Sequence, residues 1–193
     1  MISRERNSNA GHTHPGALAN SGLHPITETN MARPATADDA RDAIQVVRDA
    51  ITACAADHRN DPATLERWLA NKQPKNFERW IANPDNFCVV EEVDGKLRGV
   101  GVLRRDGELL LFYVAPGHWR RGLGRDIHAA LETRAIEWGL PKLHLESTFA
   151  ARRFYESMGY RPDGHARPLF GVLSVYPYAK RLRLLSAASK KPD

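Results

Sequence analysis

The stretch from Glu108 to Trp138 constrains this chain more than any other part of it. An apolar, strand-like run ending at Val114 gives way to Ala115-Pro116-Gly117-His118-Trp119-Arg120-Arg121-Gly122-Leu123-Gly124-Arg125. A helical stripe follows, made of Leu123, Ile127, Leu131, Ala135 and Trp138, and Gly139 and Pro141 end it. A strand that enters a helix through a short turn calls for a second strand parallel to the first, and Leu143 to Ser147 is the apolar run placed to supply it. The turn has the chemistry of an anion site. The first amides of a helix have no intrahelical partner, and the helix dipole adds positive potential there. Gly122 and Gly124 clear side-chain bulk from the main chain, while Arg120, Arg121 and Arg125 add charged donors. The expected ligand carries phosphate.

Two common phosphate ligands fail on spacing. Gly117 to Gly122 gives half of a nucleoside-triphosphate loop, but Leu123 and Gly124 stand where Lys and Ser or Thr are needed. Gly122-Leu123-Gly124 could open a dinucleotide fingerprint, but its third glycine falls on Ile127 and no ribose-binding acid follows at the right distance.

Upstream of the turn the pattern is a β meander. Phe87–Val93 and Leu97–Leu103 are joined by Asp94-Gly95, and Asp106-Gly107 repeats the hairpin signal before Glu108–Val114. Before the meander come three helices. Thr36 and Asp39 form a capping pattern ahead of Ala43, Ile44, Val47 and Ile51. Asp61-Pro62 starts the second helix, with Leu65, Trp68 and Leu69 as its stripe. Phe77, Trp80 and Ile81 mark the third, which stops at Asn83-Pro84. Tryptophans in such stripes read as core anchors. Downstream, Ala150–Met158 reads as a helix and Val172–Leu182 as a last strand, with Pro177 suggesting an edge or a bulge. The expected fold is α/β (α+β), with a mixed, mostly antiparallel sheet and flanking helices.

Residues 1–30 are polar and lack apolar periodicity, so they read as a disordered extension, and His12, His14 and His24 as part of a solvated tail. The domain is expected over 31–185, with Met31 as its functional start and 186–193 as a frayed tail. Cys54 and Cys88 form neither a metal spacing nor a disulfide framework, which points to a reducing cytoplasm. No run reaches transmembrane length. A net charge of +5, partly accounted for by the turn, includes no basic run interleaved with aromatics and gives nucleic-acid binding no support. His118, His128 and His144 do not fall at metal-ligand spacing, and no metal is expected. Ser147 and Ser157 lack the context of a catalytic serine.

Val114, Pro116, Gly122 and Gly124 resemble motif A of the GNAT superfamily of acetyl-CoA-dependent N-acetyltransferases, with Trp119 at a position that is Gln or Arg in the motif. Phe154-Tyr155-Glu156-Ser157-Met158-Gly159-Tyr160 is similar to a second segment of that family, about thirty residues downstream. The resemblance implies the GNAT fold and an acetyl-CoA-dependent transfer to a primary amine by direct attack, with acetyl-CoA as co-substrate. It implies that the coenzyme inserts between splayed strands Glu108–Val114 and Leu143–Ser147. Phe112, Tyr113 and Val114 would pair with pantetheine, with the Phe112 N–H facing the acetyl oxygen. Arg120, Arg121, Gly122, Leu123, Gly124 and Arg125 would hold the pyrophosphate. Tyr155 matches the family tyrosine that protonates the departing sulfur. Glu108 falls where some members carry a catalytic glutamate, though a solvent-facing residue after the turn fits as well; Glu146 is a weaker alternative. Asp57, His58 and Arg59 fall where the family walls its acceptor pocket, or simply in a capped loop. The acceptor amine is undefined, and a homodimer is compatible with the family. A non-catalytic acyl-CoA sensor on the same fold is the alternative.

Overall fold

The computed structural model describes residues 32–183, so the expected extension at 1–30, the start at Met31 and the tail at 186–193 lie outside the described residues. Strand β1 (Arg33–Pro34) and a 3-10 turn (Ala37–Asp39) lead into helix α1 (Ala40–Ala53). The Asp39 carboxylate accepts from the Thr36 amide at 2.7 Å and from its hydroxyl at 3.1 Å, as the capping pattern requires. A short helix α2 (Ala55–His58) follows, then α3 (Pro62–Leu69) and α4 (Pro74–Ala82). Asp61 caps α3 by accepting from the Thr64 amide at 2.9 Å. Then come β2 (Asn86–Val93), β3 (Lys96–Arg104), β4 (Leu109–Val114), α5 (Leu123–Glu137), β5 (Lys142–Ser147), α6 (Arg152–Ser157), β6 (Arg161–Pro162), β7 (Arg167–Phe170) and β8 (Leu173–Arg181).

The strands form two sheets. One is the antiparallel meander β1-β2-β3-β4; the other has β8 between β5 on one side and β6 and β7 on the other. The first hairpin turns at Asp94 and Gly95, both with positive φ, as a two-residue turn of this twist demands. The second differs from the sequence expectation. Only Gly107 has positive φ, its amide donates to the Arg104 carbonyl at 2.9 Å, and the loop holds three residues. Strand β8 is central in its sheet, which corrects the edge reading of Pro177. The Pro177 carbonyl accepts from Asp163 on the β6 side, so the N–H that proline lacks also faces that flank, between the two short strands β6 and β7.

Side chains leave the first sheet on both faces. Val90, Val100, Val102 and Leu111 pack against α1, α3 and α4 with Ile44, Val47 and Phe77. Val89 and Leu103 join Ile127, Leu131, Leu143, Tyr160 and Tyr178 under α5 and α6. Alternation along β3 aims Gly99 and Gly101 at α5, and they let the helix come close. A Cβ on Gly101 would lie 2.8 Å from Ile127 and 2.9 Å from Leu131, both fully buried. His128 is buried in the same layer beside the Tyr160 hydroxyl at 3.1 Å, and burial, with Lys180 nearby, lowers it to about 4 and keeps it neutral.

Glu91 is also buried, and neither carboxylate oxygen has a hydrogen-bond partner among the described residues. Burial first, and the Asp126 carboxylate second, raise it to about 7.

Two stability predictions follow from this packing. Gly101→Ala overpacks the β3–α5 contact and should cost about 1–3 kcal/mol, seen as a lower midpoint in denaturant melts; an unchanged midpoint would contradict it. Glu91 carries its raised pKa only in the folded state, so its contribution is present below about pH 4.5 and is lost as pH rises through 7. Glu91→Gln should therefore gain stability over wild type at pH 8 relative to its difference at pH 4.5. His128 titrates with the opposite sign in an overlapping window, so the comparison is made between the two proteins at each pH.

Candidate active site

The two sheets meet along β4 and β5 at one place. Glu108 and His144 form an isolated parallel bridge, and the His144 amide donates to the Gly107 carbonyl at 2.9 Å. Gly107 permits this contact, because a Cβ there would lie 2.5 Å from the Lys142 carbonyl oxygen. Beyond the bridge the strands part. A cavity of about 1040 Å³ opens between them, lined by β4, β5, the glycine turn, the start of α6 and the α1–α2 wall.

The main chain of β4 presents hydrogen-bonding groups to this opening. The Ala115 amide donates to Arg98 in β3 at 2.7 Å, so by strand alternation Tyr113 also pairs toward β3 while Phe112 and Val114 turn their N–H and C=O groups outward. Of these three main-chain positions, Phe112 and Val114 present their groups to the opening and Tyr113 pairs with β3. The Trp119 indole N–H donates to the outward Val114 carbonyl at 2.7 Å, and its ring stays half exposed on the cavity rim.

The glycine turn closes one end. Gly122 stands before α5 with φ of 101°, and no side chain caps the first amides of the helix. Gly124 is small for another reason: a Cβ there would sit 3.2 Å from the Phe154 ring. Arg120, itself at φ 63°, and Arg125 line the cavity. Arg121 is exposed outside the lining, and the Leu123 side chain is buried in the core, leaving its amide as the group at the turn.

Tyr155 reaches the cavity from α6 and is buried, with ring contacts to Phe112 at 5.9 Å, Phe154 at 5.3 Å and Tyr160 at 5.5 Å. Burial first, and the neighbouring Tyr113 hydroxyl second, push its phenol well above the ordinary value, so it holds its proton. Phe154 and Ser157 of the same motif also line the cavity, and its other residues hold the scaffold. Glu156 accepts from the Tyr178 hydroxyl at 2.7 Å, Gly159 turns the chain at φ 92°, and Tyr160 is buried against His128.

Residues 51–182 match the family described as "Acetyltransferase (GNAT) domain". The chain belongs to this GNAT family. Its members are acyltransferases, and the chain is an acetyltransferase in that general sense. Solved GNAT structures share the fold. The GCN5-related N-acetyltransferase ("Aminotransferase, Class-II") of Rhodopseudomonas palustris superposes with a TM-score of 0.71 at 21% identity, covering 82% of this chain and 99% of that one. PaiA N-acetyltransferase of Thermoplasma acidophilum, in complex with coenzyme A, gives 0.67 at 18% identity, covering 78% and 98%. Ribosomal-protein-alanine N-acetyltransferase of Brucella melitensis gives 0.61 at 22%, covering 79% and 99%. No curated protein matches the chain by sequence.

Within this GNAT domain, Glu108 lies at the closed end of the split and outside the cavity lining. Its carboxylate pairs with Arg104, which also binds Asp106 at 2.6 Å. His144 joins these two carboxylates, all within 4.8 Å of one another. Spacing along the chain concealed that cluster, because His144 arrives from β5. Glu146 lines the cavity but is exposed and paired with Arg167.

The segment Asp57-His58-Arg59 separates into three fates. His58 turns into the protein, its Nδ1 accepting from Asn60 at 3.1 Å and its Nε2 3.3 Å from the Thr52 carbonyl. Arg59 ends α2 at φ 51°. Asp57 alone of the three lines the cavity, together with Cys54 and Trp68. The sequence reading of Trp68 as a core anchor is half of its role: it packs in the core and also lines the cavity.

Among the described residues no helix is long and apolar enough to cross a membrane.

We predict that Gly122→Val, which forces a branched residue into a φ of 101°, weakens acetyl-CoA binding by roughly tenfold or more. Calorimetric titration checks it; wild-type affinity would show that the turn does not carry the phosphates.

Proposed function

We propose that this enzyme transfers the acetyl group of acetyl-CoA to a primary amine by direct attack within a ternary complex. The observation that carries the proposal is the parting of β4 and β5 after one bridge, which places an uncapped helix start, outward strand amides and Tyr155 around one cavity.

The residues suit the coenzyme from its pyrophosphate to its thioester. The amides of Leu123 and Gly124, with Arg120 and Arg125, suit a pyrophosphate. Phe112 and Val114 suit a pantetheine arm pairing as an added strand. Acetyl-CoA supplies a thioester, whose carbon accepts the amine nitrogen as the C–S bond breaks. The outward Phe112 N–H is the donor we assign to the carbonyl oxygen as negative charge grows there, a contact of about 3 kcal/mol in comparable sites. Tyr155, protonated and buried, gives its proton to the sulfur. The acceptor ammonium first gives one proton to solvent to become the neutral, attacking amine; the second proton leaves the nitrogen as the amide forms and replaces the one Tyr155 gave to the sulfur.

Glu108, fixed by Arg104 outside the cavity, is assigned to holding the sheet junction, which leaves proton removal to water or to a group in the cavity. We take the working domain as 31–185 and place the enzyme in the cytoplasm, in keeping with free Cys54 and Cys88.

Tyr155→Phe should lower kcat by roughly a hundredfold while acetyl-CoA affinity stays the same. Steady-state thiol release with calorimetry in parallel tests this. Wild-type turnover in the variant would remove Tyr155 from the acid role.

A further inference from the structure

Asp57 is the buried charge that the proposed transfer leaves unused. It is 6% exposed, it lines the cavity, and among the described residues it belongs to no ion pair. Its two partners are neutral. The Ala150 amide donates to Oδ1 at 2.9 Å, and the Cys54 thiol donates to Oδ2 at 3.1 Å. Burial, and then Asp57 itself, push that thiol up to about 12, so it stays a donor. Buried carboxylates without a cation are costly and rare, and one facing a cavity has room for a cation that comes from outside the protein.

Charge is unevenly shared in the lining. His118, Arg120, Arg125 and Arg153 belong to the turn and α6, the parts suited to phosphate. Of the two lining carboxylates, Glu146 is already matched to Arg167. Asp57 therefore carries the one uncompensated negative charge among the described lining residues. Around it the wall is apolar or aromatic: Ala50, Ile51, Trp68 and Tyr113. Trp68, Asp57 and Cys54 all lie near the Tyr113 hydroxyl, so the four side chains form one group. Tyr155 in turn feels Tyr113, which links this group to the sulfur end of the site.

We propose that Asp57 anchors the ammonium of the acceptor, and that the acceptor is a primary amine on an apolar or aromatic skeleton with no carboxylate beside the nitrogen. The proposal rests on the acetyl-transfer reading and deepens it. A carboxylate pairs with an alkylammonium and shuns an anion. Aromatic rings such as those of Trp68 and Tyr113 attract a cation over their faces and pack well with a flat hydrocarbon. An α-amino acid would bring its own carboxylate toward Asp57 and meet no cation there. Asp57 acts as a specificity determinant for the amine and stays apart from coenzyme binding.

The test uses the full chain, acetyl-CoA, and two probes that differ by one carboxylate, 2-phenylethylamine and L-phenylalanine. Wild type should acetylate phenylethylamine with kcat/KM roughly a hundredfold above that for phenylalanine. Asp57→Asn keeps the shape and the acceptor for the Ala150 amide but loses the charge. It should raise KM for phenylethylamine by roughly tenfold or more, with acetyl-CoA affinity unchanged. Asp57→Glu should retain most of the wild-type KM. A purely structural tether predicts that Asp57→Asn behaves like wild type, and that result overturns the proposal, as does equal use of the two amines or no use of phenylethylamine. If Asp57→Asn does not fold, the discrimination between the two probes by wild type still decides. Failure of wild type to bind acetyl-CoA is a separate outcome, which sinks the transfer reading and this inference with it.

Discussion

Two sheets joined by one parallel bridge, Glu108 to His144, leave an edge of β4 without a strand beside it. A strand edge needs partners for its N–H and C=O groups, and proteins cover such edges or use them. Here β5 turns its pairing to β8, from Lys142↔Arg181 to Ser147↔Tyr176, while β4 turns its pairing to β3. The gap between them is therefore built into the topology, and the contact of Gly107 and Glu108 with β5 closes one end of it. Trp119 caps the Val114 carbonyl at the other end. An extended ligand with its own amides can take over that edge, and the anion site at the start of α5 fixes the direction in which it lies.

The split also separates two chemistries. On the α5–α6 side, Phe112, Phe154 and Tyr155 pack together, and the basic turn lies at the helix start. On the α1–α3 side, Tyr113 projects toward Trp68, Cys54 and Asp57. Adjacent residues of one strand, Phe112 and Tyr113, thus face opposite sides of the sheet, and only the gap lets the two sides communicate. An amine arriving from one face and a thioester from the other can meet there without either crossing a packed core.

Much of this was legible in the sequence, and the failures have physical causes. The helix after the glycine turn, the parallel return strand and the first hairpin follow from local periodicity and from Asp94-Gly95. The same Asp-Gly signal at 106–107 gave a different loop, because Gly107 answers to a close approach by β5 that no local pattern records. Strands β6 and β7 are short, contain Pro162 and Pro168, and exist only by pairing with β8. Glu108 shows the limit of counting along a strand. Its distance from the turn is right for a base, yet the point where the strands part is a tertiary fact, and it leaves Glu108 on the closed side. Asp57 was visible only as one of three polar neighbours; its separation from His58 and Arg59 depends on the turn of α2.

The claim on which the rest stands is that the exposed edge of β4 and the first amides of α5 receive the coenzyme together. Amide hydrogen exchange with and without acetyl-CoA measures both at once. The account predicts new protection at Phe112, Val114, Leu123 and Gly124, with the amides of β2 unchanged. Binding of acetyl-CoA with no protection at those four amides would contradict it.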